Sequence, residues 1–158
     1  MRAILVAAAV AILLVGCGGA SGGGCKVKLS GAVTEDLLCL AASSPTPQGS
    51  GMTVAAYTTT KPRKTLSIAC AATSQPPAPA TYSGATCFGM WRQELADGGT
   101  DVWQAGALGG GSVTMTITGL GAPLSTVDGG YTILGNAQAT LEAQSGGASG
   151  TIQVDATF

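Results

Sequence analysis

Apolar and polar residues alternate with a period of two along much of this chain. Thr151 to Phe158 is the cleanest case, with Ile152, Val154, Ala156 and Phe158 set against Thr151, Gln153, Asp155 and Thr157. Ser112 to Thr118 sets Val113, Met115 and Ile117 against threonines, and Cys25 to Val33 sets Val27 and Leu29 against Lys26 and Lys28. Successive side chains of a strand point to opposite faces of a sheet, so each run predicts a strand with one face on a core and one in water. Further strands are expected over 37–42, 52–58, 65–71, 85–92 and 101–105, and a long one within 131–141. The stretch Leu37 to Ala42 is almost continuously apolar, as in a strand covered on both sides or a strand end. Ser43 to Ser50 and Ser74 to Pro79 read as loops from their Pro, Ser and Gly content. Arg92 to Ala96 has room for one helical turn, and glycine pairs and triplets separate the last strands. Many short strands with Gly and Pro punctuation predict an all-β domain over 25–158, an antiparallel β-sandwich with a small β-barrel as the alternative.

The N-terminus follows a different rule. Ala3 to Val15 is an unbroken apolar run behind Met1-Arg2. It is shorter than the roughly 20 residues that span a bilayer and matches the core of a signal peptide. It ends in Leu14-Val15-Gly16-Cys17, and Gly18 to Gly24 then reads as a flexible tether. The four residues ending at Cys17 resemble the lipobox of bacterial lipoproteins. That resemblance implies a signal peptide over 1–16, cleavage after Gly16, a diacylglyceryl group on the Cys17 thiol, and a tether over 17–24 holding the domain to a membrane. Two or three acyl chains give stable anchoring, at about 0.8 kcal/mol per buried methylene. The same resemblance places the protein in the cell envelope. Because Gly18, and not Asp, follows the cysteine, it implies the outer membrane if the source is Gram-negative. The first strand (CKVKLSGAV) and the last (GTIQVDATF) also resemble the bracketing strands of a broad set of small β-sandwich lipoproteins, and that likeness brings no catalytic residue or ligand.

Five cysteines are present, and setting Cys17 aside leaves Cys25, Cys39, Cys70 and Cys87. An even remainder in an oxidising compartment predicts two disulfides. Each of the pairs Cys25–Cys39 and Cys70–Cys87 flanks one candidate hairpin, which favours that connectivity. The crossed arrangement of Cys25–Cys87 with Cys39–Cys70 also satisfies the count. A metal site is disfavoured by the absence of His and by the long spacings between cysteines.

Composition narrows the chemistry. The chain has no His, which removes the commonest general base and every Ser-His-Asp or Cys-His arrangement. Eight carboxylates are scattered (Glu35, Asp36, Glu94, Asp97, Asp101, Asp128, Glu142 and Asp155), several beside turn residues, where they bond the local backbone. The net charge of −1 lacks the clustered Lys and Arg that nucleic acid requires, and the short cluster Lys61, Arg63 and Lys64 reads as a solvated turn around Pro62. The glycine-rich GALGGG at 106–111 lacks the following helix of a phosphate-binding loop. Asp97-Gly98-Gly99 and Asp128-Gly129-Gly130 are expected to be tight turns. These features lead to the expectation of a non-enzymatic, lipid-anchored envelope protein without a cofactor. Its partners would be the membrane, through Cys17, and another envelope component, protein or polysaccharide. Trp91 and Trp103 are expected to fill a core otherwise short of large side chains; the alternative is that the rings are exposed and stack on sugars, making a carbohydrate-binding or hydrolase-accessory module.

Overall fold

The computed structural model describes residues 24–107, 109–125 and 127–158. The expected signal peptide, Cys17 and all of the tether but Gly24 lie outside the described residues. Within them the protein is all-β. The strands are β1 (Lys26–Gly31), β2 (Glu35–Thr46), β3 (Gly49–Tyr57), β4 (Lys64–Ala72), β5 (Ala80–Ser83), β6 (Cys87–Glu94), β7 (Thr100–Gly106), β8 (Ser112–Pro123), β9 (Tyr131–Ser145) and β10 (Thr151–Thr157). A single 3-10 turn, Gly84–Thr86, precedes β6.

All the pairings are antiparallel and join one sheet in the order β10-β1-β2-β3-β4-β6-β7-β9-β8-β5. Because β9 also pairs with β10, eight of the strands close into a ring, a barrel-like arrangement from which β8 and β5 extend. Closure leaves fewer unpaired strand edges, which are sites of unwanted association. Strand β9 makes closure possible by serving several neighbours. Residues 136–142 pair with β10, 142–145 with β7, and Tyr131 and Thr132 with β2. On the edge that it shares with β7, residues 131–140 of β9 pair with β8, with register shifts that let β8 bend.

Gly135 sits where β9 passes from β10 towards β2. It exchanges backbone hydrogen bonds with Phe158 (2.6 and 2.9 Å), has φ +153°, and a Cβ there would run into the Thr116 carbonyl of β8. Gly135→Ala is therefore expected to destabilise the domain by about 1–3 kcal/mol, because strain in this φ region adds to a forced separation of β8 and β9. Chemical denaturation of the variant checks this, and an unchanged midpoint would contradict it.

The interior follows the period-2 pattern. Val27 and Leu29 of β1, Ile152, Val154 and Ala156 of β10, and Val113, Met115 and Ile117 of β8 are all buried, joined by Leu66, Ile68, Trp91 and Leu141 in one core. Few of these side chains are large rings. The interior is filled mainly by aliphatic residues of β1–β4 and β8–β10, the Val, Leu, Ile and Met side chains each contributing on the order of 1.5–3 kcal/mol by burial.

Several local expectations are corrected. The stretch Ser43 to Ser50 is not a loop: β2 runs through Pro45 to Thr46 and turns back over Pro47 and Gln48. Its serines are tied down there, with Ser43 Oγ donating to the Tyr131 carbonyl at 3.3 Å and Ser50 Oγ to the Ser74 carbonyl at 2.8 Å. Arg92 to Ala96 forms no helical turn, since β6 continues to Glu94. Strand β5 lies where no strand was expected. The two Asp-Gly-Gly segments are the tight turns expected of them. The Gly99 N–H donates to Asp97 Oδ1 at 2.9 Å, and the Gly130 N–H donates to the Val127 carbonyl at 3.0 Å.

Candidate functional site

The four domain cysteines form Cys25–Cys39 and Cys70–Cys87, the favoured of the expected connectivities. The first pair ties the residue before β1 to β2, where the Cys39 N–H also donates to the Cys25 carbonyl at 3.2 Å. The chain therefore enters the domain at a covalently locked point. The second pair joins directly opposed residues of β4 and β6, both buried in the core.

Trp91 and Trp103 are directly opposed on β6 and β7, and both are buried, at 0% and 5% exposure. Both rings therefore take the core position expected of them, and the alternative of exposed rings stacking on a sugar is removed. The reason is register. Trp91 lies four residues from buried Cys87, and a strand returns to the same face every second residue. Trp103 Nε1 donates to the Ser149 carbonyl at 3.4 Å, whereas Trp91 Nε1 is buried without a partner.

The carboxylates are dispersed in supporting roles. Glu35 pairs with Lys64, its other oxygen buried and unpartnered. Glu94 accepts from the Arg63 N–H, and Asp101 accepts from the Gly147 N–H at 2.7 Å. Asp155 accepts from Gln138 at 3.1 Å. The basic cluster is correspondingly split: Lys64 is engaged by Glu35, while Lys61 and Arg63 are exposed on the loop between β3 and β4. That loop and the β6–β7 turn border an open depression lined by Lys61, Pro62, Arg92, Glu94 and Leu95, of mixed charge. Among the described residues no group of three or more His, Cys, Asp or Glu is placed to hold a metal, and no helix is long and apolar enough to cross a membrane.

The most distinctive surface lies on the outside of β1–β3. Leu38 is 79% exposed, Leu40 52% and Tyr57 56%. The expectation that the apolar run of β2 is covered on both sides is corrected: only one face is covered. Leu37 and Cys39 pack against the core, so Leu38 and Leu40 must point outward. On the same face Leu40 is opposite Ala55 of β3, and Leu38 is opposite Lys26 of β1. Sequence reasoning missed this patch, although the parity of Cys39 against its neighbours carried the signal.

No protein-family model, no curated protein and no solved structure matches this chain.

Proposed function

We propose that the chain is a lipid-anchored protein of the cell envelope, whose β domain acts as a non-catalytic structural or protein-binding module. The observation that carries this reading is the apolar run ending in Leu14-Val15-Gly16-Cys17, placed eight positions before Cys25. Anchoring at Cys17 would load the domain at its first strand, and the Cys25–Cys39 bond at that entry suits such a load. Two disulfides also suit an oxidising compartment outside the cytoplasm. Glu35, Glu94, Asp97, Asp101 and Asp155, each occupied in a separate pairing or turn, favour a binding or structural role over hydrolysis.

Cys17→Ser tests the reading, because only a thiol accepts the acyl group. The variant is expected to accumulate as a precursor that retains residues 1–16, while the native chain is processed and partitions into the detergent phase. A variant processed and partitioned like the native chain would overturn the proposal.

A further inference from the structure

Exposed leucines on a strand cost solubility unless something covers them, and large apolar patches commonly mark interaction sites. Here the patch of Leu38, Leu40 and Tyr57 lies beside the point where the chain enters the domain. Lys26 is opposite Leu38 in register, and the disulfide fixes Cys25 to Cys39, between Leu38 and Leu40. From Cys17 to Cys25 the chain can reach at most about 26–29 Å, at roughly 3.3–3.6 Å per residue. A membrane holding Cys17 is therefore never far from this face.

The polar surroundings fit a bilayer surface. Lys26 lies between Leu38 and Thr157, its long stem free to lie along apolar surface with its ammonium among head groups. Lys28, one step further along, is flanked by Asp36 and Asp155 and so adds little net charge. Lys61 and Arg63 are exposed on the loop that follows Tyr57. A shallow groove lined by Lys26, Lys28, Asp36, Leu37, Leu38 and Asp155, its two lysines balanced by two carboxylates, continues the face. Elsewhere the outer surface is more polar: β8 and β9 present Thr114, Thr116, Gln138 and Thr140, beside a less exposed Leu134.

We propose that the Leu38–Leu40–Tyr57 face docks on the lipid bilayer that anchors Cys17, with the leucines at the interface and Lys26 among the head groups. The inference rests on the lipid-anchored reading. It adds an orientation: the domain lies with β1–β3 against the membrane and presents β6 and β7, across the ring, away from it.

Hydroxyl-radical footprinting of the full lipidated protein tests this, on vesicles of phosphatidylethanolamine and phosphatidylglycerol. Val102 on β7, across the ring from β2, is the internal reference, because it is half-buried whereas Leu38 is 79% exposed. A free face would label at Leu38 faster than at Val102. Docking is expected to reverse that order and to suppress labelling of Tyr57. In a second variant, Leu38→Ser with Leu40→Ser, both changes fall on exposed positions, and labelling of Tyr57 is expected to recover. An acylated N-terminal peptide with Leu38 still labelling faster overturns this proposal alone. A peptide without acyl mass overturns it together with the anchoring reading. Protection that appears only at high protein density on the vesicles would show a second copy covering the face, and also overturns it.

Discussion

Trp91→Ala is expected to remove about 3–5 kcal/mol of folding stability, a large share of the roughly 5–15 kcal/mol typical of a domain. Trp91 is fully buried and directly opposite Trp103, in a core otherwise short of large rings. Deleting the indole loses its transfer free energy and leaves a cavity that two flanking strands of a closed sheet cannot easily collapse. Trp91→Phe is expected to cost less, about 1–2 kcal/mol, because the indole N–H it removes has no acceptor. Urea unfolding of both variants checks the order. A Trp91→Ala midpoint close to native would mean the ring is not a core element. A Trp91→Phe loss as large as that of Trp91→Ala would mean the indole nitrogen has a partner.

The second large effect concerns the crosslinks. The two disulfides close separate loops, with sequence separations of 14 and 17 residues. In the chain-entropy treatment a loop of this size contributes about 3 kcal/mol, so opening either bond is expected to lower the melting temperature by about 10 °C. Cys70 and Cys87 are buried, whereas Cys25 and Cys39 are only partly so. Thiol exchange requires access to a sulfur, so limited reductant is expected to open Cys25–Cys39 first and Cys70–Cys87 only on unfolding. Alkylation with peptide mapping reads the order, and thermal melts read the loss. Simultaneous opening of both bonds in the folded state, or a melt unchanged after reduction, would contradict the burial described above.

The fold was legible in the sequence wherever one face of a strand is buried and the other wet. The alternation of Ile152, Val154 and Ala156, or of Val113, Met115 and Ile117, specifies both strand and inward face. Legibility failed where a stronger local signal competes with pairing. Pro45 reads as a loop residue, yet β2 carries it opposite Ser50, where the missing donor is tolerated near a strand end. Strand β5 is short and follows Pro76, Pro77 and Pro79, so its ladder with β8 is set by tertiary contact. Closure of the ring through β9 depends on pairings between residues far apart in sequence, which no local pattern encodes.

The candidate site was legible at its covalent points only. The even remainder of cysteines predicts two bonds, and their placement around candidate hairpins favours the connectivity found while leaving the crossed one open. For the tryptophans, a core short of other large side chains favours burial over exposure, and their parity with Cys87 and Ala105 places both inside. Leu38 and Leu40 went unread. A continuous apolar run hides which of its residues face outward until one of them, here Cys39, is fixed to a partner.

Intact-mass and peptide analysis of the mature N-terminus, on protein isolated from the membrane of the producing cell, tests anchoring most directly. The account predicts a chain beginning at Cys17, with residues 1–16 absent, a diacylglyceryl group on the sulfur and either a free or an acylated amine. A mature chain that begins elsewhere, or an unmodified Cys17, would contradict it.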